Sequence, residues 1–151
     1  MIYLNIRYNI VHKNIVYKRY RTEDELIEAA DIALENRLYV NNWYLRSRYI
    51  NIKRGDIKNQ YLDIAFIDDK PIGICFAKDS SSDKFKEARF LACFIRKPFR
   101  KIGIGSKLIS LHNNDKKELY ACTGIDGSKL FWTKNKVNVT SFSDSYELRR
   151  A

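Results

Sequence analysis

Cysteine is scarce in this chain and never paired: Cys75, Cys93 and Cys122 each stand alone inside an apolar segment. An odd count without a pairing pattern gives no disulfide framework, so buried free thiols in a reducing compartment are expected. Histidine is scarcer still. His12 and His112 lie far apart and near no cysteine pair, so no metal site is expected. There is no run of about 18 apolar residues, which leaves no candidate for a membrane-spanning helix. The opening "MIYLNIRYNIVHKNIVYKRY" alternates apolar and polar residues and breaks at Arg7, unlike a secretory signal, and a cytoplasmic location is expected. Acidic residues are also in deficit, with 18 Asp and Glu against 28 Lys and Arg and a formal net charge of +10. Such an excess attracts polyanions: nucleic acid, an acidic protein face, an anionic membrane or a phosphorylated cofactor.

What is present supports a folded chain. Of 151 residues, 45% are hydrophobic and 13% aromatic, enough to bury one sizeable core and short for two, so one domain over 1–151 is expected. Neither repeats nor long low-complexity segments occur, and "KDSSSDK" reads as an exposed loop tip. Ile2 to Tyr20 reads as one or two edge strands. Thr22, three before Glu25, makes a capping box for a helix ending near Asn36, and a second, short helix is expected around Trp43 to Tyr49. "YLDIAFI" and "PIGICFA", separated by Asp68-Asp69-Lys70, read as a hairpin, and "ARFLACFI" as a further strand. A helix opens at Ser106, "ELYACTG" reads as a strand, "SKLFWTKN" as a short helix, and the tail as one or two closing strands. The class is therefore α/β in the sense of a mixed, mostly antiparallel sheet of six or seven strands with about four helices, not a repeated βαβ array.

The turn "RKPFRKIGIGSK" carries the chemistry. Glycines between a strand and a helix free backbone N–H groups to face an anion and let it approach closely. Arg100, Lys101 and Lys107 add charge. A Walker loop fails, because Gly105 is followed by Ser106 and then Lys107 rather than by Lys and Ser or Thr. A dinucleotide fingerprint fails too, with Leu108 in place of the third glycine and no βαβ unit around it.

The remaining pattern, Arg100-Lys101-Ile102-Gly103-Ile104-Gly105, resembles the Arg/Gln-x-x-Gly-x-Gly/Ala signature of the GNAT acetyltransferase superfamily, and the likeness extends over roughly Tyr61 to Val137. The resemblance implies a twisted sheet whose fourth and fifth strands splay around acetyl-CoA. It places Arg100, Lys101, Gly103, Ile104, Gly105 and Ser106 at the pyrophosphate, and the main chain of Phe94, Ile95 and Arg96 along the pantetheine arm. It also implies an acetyl transfer from acetyl-CoA to an amine.

Two of the departures from the family pattern fall on its catalytic positions. Where the family often has a tyrosine acid this chain has Trp132, whose indole N–H is not a usable acid. Where the protein-lysine branch has a glutamate base it has Arg89, which leaves Glu87 as the nearest carboxylate and Tyr120 and Tyr146 as relocated acids. Without a base, an acceptor with an α-amine of pKa about 7.7 to 8.0 suits the site better than a lysine near 10.4. The charge suits a nucleic-acid-linked amine such as an aminoacyl-tRNA, or DNA, and Tyr44, Arg46, Arg48, Tyr49, Lys53 and Arg54 interleave aromatic with basic residues as such contacts require. A small amine, a protein lysine, or a silent domain that binds nucleic acid or a protein partner are the other readings, as monomer or homodimer.

Overall fold

The computed structural model describes residues 14–80, 87–122 and 129–140. Their strands form one six-stranded sheet in sequential order. Strand β1 (Ile15–Tyr20) leads through helix α1 (Glu23–Glu35) and helix α2 (Trp43–Lys53) into β2 (Gln60–Ile67), β3 (Lys70–Asp79) and β4 (Ala88–Ile95). After a 3-10 turn (Lys97–Phe99) come helix α3 (Ile104–Ser110), β5 (Glu118–Cys122), helix α4 (Lys129–Lys134) and β6 (Asn138–Thr140). Strands β1 to β4 are antiparallel neighbours, whereas the β4–β5 and β5–β6 pairs are parallel.

Local chemistry accounts for the boundaries. Thr22 Oγ1 accepts from the Glu25 N–H at 3.3 Å and Glu25 Oε1 accepts from the Thr22 N–H at 2.9 Å, the expected capping box. Asn42 caps α2 by accepting from the Leu45 N–H at 3.1 Å, and α2 runs one turn beyond its expected end. The β2–β3 hairpin closes through Asp68 and Asp69, both left-handed, with φ of 49° and 62°, the backbone a two-residue type I′ turn needs. Helix α3 begins at Ile104, not at Ser106, so Gly105 lies within its first turn.

Alternation along the strands divides the core between the two faces of the sheet. Leu62, Ile64, Phe66, Ile74, Phe76 and Phe94 pack under Leu26, Ala30 and Ala33 of α1 and Leu45, Tyr49 and Ile52 of α2. On the other face, Ala65, Cys75, Ala77, Leu91, Leu119 and Ala121 meet Ile104, Leu108 and Ile109 of α3 and Trp132 of α4. Each fully buried aliphatic side chain contributes about 1.5–3 kcal/mol. Cys75 and Cys93 are free thiols at opposed positions of β3 and β4, as expected of unpaired cysteines. Among the described residues no helix is long and apolar enough to cross a membrane, and no group of His, Cys, Asp and Glu could hold a metal ion.

Candidate functional site

The central feature is where β4 and β5 part. They are paired only over Ala88–Phe90 and Glu118–Tyr120, while β4 continues to Ile95 and β5 to Cys122 without a further pair between them. A wedge-shaped gap therefore opens towards the C-terminal ends of both strands, and Phe90 and Tyr120 stand at its apex. Main-chain bonds in an antiparallel pair alternate. The Ser80 N–H reaches Ala88 O at 3.0 Å and the Arg96 N–H reaches Ile72 O at 2.9 Å, so the even residues of β4 turn their polar groups to β3. Cys93 and Ile95 turn theirs to the gap. The expectation that Phe94, Ile95 and Arg96 all offer main chain there narrows to Ile95, joined by Cys93. The Arg96 side chain is spent as well, with Nε on Pro71 O at 2.9 Å and Nη2 on Asn36 O at 2.7 Å.

At the open end of the gap lies the basic turn. Lys101 and Gly103 are both left-handed, with φ of 65° and 98°, and Gly103 is the N-cap of α3 without any side-chain cap. Between the Arg100 N–H, which reaches Lys97 O at 3.3 Å, and the Lys107 N–H, which reaches Gly103 O at 3.0 Å, the amides of Lys101, Ile102, Gly103, Ile104, Gly105 and Ser106 have no acceptor among the described residues. Successive unsatisfied amides around left-handed residues make an anion-binding concavity. Nothing lies within 4 Å of a Cβ built at Gly103, so the space above it is open. Arg100 donates from Nε to Ile95 O at 2.7 Å and lies 5.7 Å from the Phe94 ring, which holds its guanidinium over the mouth of the gap. Gly105 serves a different need. A Cβ there would lie 2.9 Å from Phe131 Cζ, so this glycine lets α3 and α4 approach.

The nominated catalytic side chains fall in different places. Glu87 precedes β4 at the closed end of the wedge; its carbonyl accepts from the Glu118 N–H at 2.8 Å and its 65% exposed carboxylate lies 3.9 Å from Lys117 Nζ. That is a surface ion pair away from the gap. Tyr120 stands at the apex, and its hydroxyl donates to Glu118 Oε2 at 2.7 Å. That hydrogen bond, with burial and the carboxylate's charge, raises the phenol's pKa. Tyr146 lies outside the described residues. Glu118 was not anticipated; its signal is its position two residues before Tyr120 on the same face of a strand. Trp132, 5% exposed and edge-on to Phe131 at 5.0 Å between ring centres, is part of the core under α4.

Arg89 explains why no glutamate stands in its place. It is 5% exposed and lies on the α3 face. Its Nε meets Asp79 Oδ1 at 2.6 Å, Nη2 meets Asp79 Oδ2 at 3.2 Å, Nη1 lies 3.0 Å from His112 Nδ1 and also donates to Asp115, and its plane lies 4.6 Å over Tyr61. His112 Nε2 in turn is 3.0 Å from Asp63 Oδ2, and Arg19 and Arg21 reach the same fully buried carboxylate at 3.3 and 3.0 Å. Burial opposes a charge on His112, but contact with Asp63 and Cys75 outweighs it and pushes the pKa up to about 9. The protonated ring has no lone pair for Arg89 and forms an ion pair with Asp115, 3.9 Å from Nδ1; the neutral ring accepts from Arg89. This network joins β1, β2, β3, β4 and the segment after α3.

The aromatic and basic run of α2 is largely absorbed by structure. Tyr49 is fully buried with its hydroxyl on Leu38 O at 2.8 Å, Arg48 is 8% exposed and paired with Asp56, and Lys53 Nζ reaches Asp31 at 2.6 Å. Tyr44 packs edge-on against Phe90 and Phe76, at 5.6 and 6.0 Å between ring centres, with the 72% exposed Trp43 beside it. Arg46, Lys53 and Arg54 are the exposed cations of the run.

No protein-family model matches the sequence, and no curated protein matches it. Solved structures do. The aminoglycoside N-acetyltransferase AAC(6')-Iy in complex with CoA aligns at a TM-score of 0.59 and 15% identity over 84% of this chain and 91% of its own. The ribosomal-protein-alanine N-acetyltransferase of Brucella melitensis biovar Abortus 2308 aligns at 0.55 and 10% over 85% and 94%, and a possible acetyltransferase from Clostridium difficile 630 at 0.54 and 13% over 82% and 90%. With its mixed six-stranded sheet, its parting fourth and fifth strands and its glycine turn at the mouth of the gap, the chain has the fold of the GNAT acetyltransferases.

Proposed function

We propose that the chain is an acetyl-CoA-dependent N-acyltransferase that acetylates an amine. The observation that carries this reading is the run of open amides from Lys101 to Ser106, set among Arg100, Lys101 and Lys107 at the mouth of the β4–β5 gap. The helix end contributes only about 0.3–2 kcal/mol per charge, and the cations and the amide concavity strengthen it. These residues fit a pyrophosphate. Cys93 and Ile95 would hold the pantetheine arm as an added strand would be held, through the N–H groups they turn to the gap. Bound acetyl-CoA would supply an activated thioester, whose carbon–sulfur bond would break as the carbon–nitrogen bond forms, with CoA leaving as a thiolate, a fairly good leaving group because a thiol has a pKa of about 8.5.

The remaining chemistry belongs to the apex. Helices α3 and α4 close one face of the sheet with Leu108, Trp132 and their neighbours, so the acceptor approaches from the α2 face, past Trp43 and Tyr44. There the Tyr120 oxygen can take the proton that the acceptor amine sheds while the phenol passes its own to Glu118, a two-step relay along the 2.7 Å hydrogen bond. Hydrogen-bonded to a carboxylate, Tyr120 is better placed as this relay than as a free acid. An acceptor amine of modest pKa, a small amine or one carried on a larger molecule such as a charged tRNA, suits a site whose proton acceptor is the exposed carboxylate of Glu118.

Calorimetry with acetyl-CoA, together with labelled acetyl transfer to separate small-amine, protein, RNA and DNA pools, tests the reading. Binding and labelling of one amine pool support it. Binding without labelling of any pool would mark a silent domain, and absence of binding would overturn the cofactor assignment.

A further inference from the structure

Beside the apex, on the same sheet face, lies a polar cluster that the transfer chemistry does not use. Arg48 of α2 is 8% exposed and Gln60 of β2 is 2% exposed. Both hold Asp56, through Arg48 Nη2 to Oδ2 at 3.3 Å and Gln60 Nε2 to Oδ1 at 2.9 Å. Yet Arg48 Nε and Gln60 Oε1, both buried, have no hydrogen-bond partner among the described residues. A buried donor and a buried acceptor left open on two residues that share the Asp56 carboxylate are costly, and that cost needs a reason. Lys78 faces the same place: it is the register partner of Gln60 on one side and of Phe90 on the other. Burial and the neighbouring Arg48 lower its pKa, with Asp56 pulling the other way.

The row across the sheet is therefore Gln60, Lys78, Phe90 and Tyr120, each opposite the next. Adjacent strands are about 4.8 Å apart, which places Lys78 roughly 10 Å from Tyr120 at backbone level. Above this row Tyr44 contacts Phe90 and Phe76, and Arg48, one turn along α2, lies 5.3 Å over Phe76. One end of the row carries the Glu118 carboxylate. The other carries the cations Arg48 and Lys78, both of which feel the Asp56 carboxylate, half exposed at 52%.

We propose that Arg48, Gln60 and Lys78 form an anion subsite for the acceptor, so that the preferred acceptor carries a carboxylate or phosphate roughly 10 Å from the amine it presents at Tyr120. The anion takes the open Arg48 Nε–H and the Lys78 ammonium, and an adjacent N–H or O–H of the acceptor meets Gln60 Oε1. Arg48 is held both by Asp56 and by the Phe76 ring, whose centre lies 5.3 Å from its guanidinium carbon. This inference rests on the reading of the β4–β5 gap as an acyltransferase site.

Triglycine and triglycine amide differ only in the charge at the end remote from the amine, and an aminoalkyl phosphate of similar length against the matching amino alcohol makes the same comparison for phosphate. Calorimetry of each on the CoA-loaded protein reads the subsite, and transfer of labelled acetyl reads the chemistry. The charged member of a pair is expected to bind about tenfold more tightly, as one charge-assisted hydrogen bond gives. Lys78→Met should bring it down to the level of its neutral partner. Arg48→Gln should do the same where it folds, and Lys78, half-buried and outside the core, supplies the variant that keeps the fold. Equal binding of acid and amide, with transfer to both, would overturn the subsite alone and leave a buried water as the filler between Arg48 and Gln60. Preferential binding without transfer would overturn the acyltransferase reading and keep the subsite. Neither preference nor transfer would overturn both.

Discussion

Gly105 and Phe131 touch through a space that has no room for one more carbon: a Cβ at 105 would lie 2.9 Å from Phe131 Cζ and 3.1 Å from Cε1. The two glycines of the basic turn thus have separate duties. Gly103 meets nothing and is held at a φ of 98°. Gly105→Ala is expected to lower stability by about 1–3 kcal/mol through overpacking, a fall of roughly 2–4 °C in Tm per kcal/mol for a chain of this size. Phe131→Leu should restore most of it. Gly103→Ala has no clash to relieve, so its cost of about 1–2 kcal/mol is backbone strain that Phe131→Leu leaves unchanged. Thermal melts of the two single and two double variants check this.

The Arg89 network predicts a stability loss of another kind. Arg89→Met leaves Asp79 and Asp115 without their main partner inside a buried cluster, and about 3–5 kcal/mol is expected to be lost. Arg89→Lys should recover little, because one ammonium cannot serve Asp79, Asp115 and His112 in the plane of a guanidinium. Urea unfolding of the three proteins gives the comparison.

The same network sets an acid limit. Partial burial would raise the Asp115 pKa, but Arg89, His112 and Arg19 outweigh it and hold the carboxyl below its usual range. A lowered folded pKa means that the contribution is fully present above the unfolded value near 3.9 and is lost as pH falls below it. Unfolding free energy should therefore drop steeply below about pH 4, and less steeply in Asp115→Asn. An unchanged slope in that variant would assign the acid sensitivity to other carboxylates.

At the apex, Tyr120→Phe removes the relay and leaves the amide cradle intact. Turnover is expected to fall on the order of 10²-fold with CoA affinity unchanged, and Glu118→Gln should follow it in the same direction. Trp132→Ala instead removes a core side chain, so its effect should appear as about 3–5 kcal/mol of stability.

The local features of this fold can be read directly from neighbouring residues. Strand β4 begins and ends where "ARFLACFI" does, and Asp68-Asp69 announces a hairpin because few other residues accept two left-handed positions in succession. Features that depend on distant partners were not legible. Arg89 meets residues 10, 23 and 26 positions away, and nothing in their spacing says that the partners converge. Its burial among Asp79, His112 and Asp115 on the α3 face makes it part of the structure. The glycine turn was legible as an anion site, yet Gly105 belongs to helix packing because its neighbour Phe131 comes from α4. The aromatic and basic run of α2 looked like a surface, but helical spacing turns Tyr49 into the core and Arg48 under the helix.

The most direct test of the account is titration of the protein with acetyl-CoA, alongside Gly103→Val at the open, left-handed N-cap of α3. The account predicts saturable binding by the wild-type protein and its loss in a variant that still melts cooperatively, because the side chain fills the space over the Lys101 to Ser106 amides. Undiminished binding by the folded variant, or none by the wild-type protein, would contradict it.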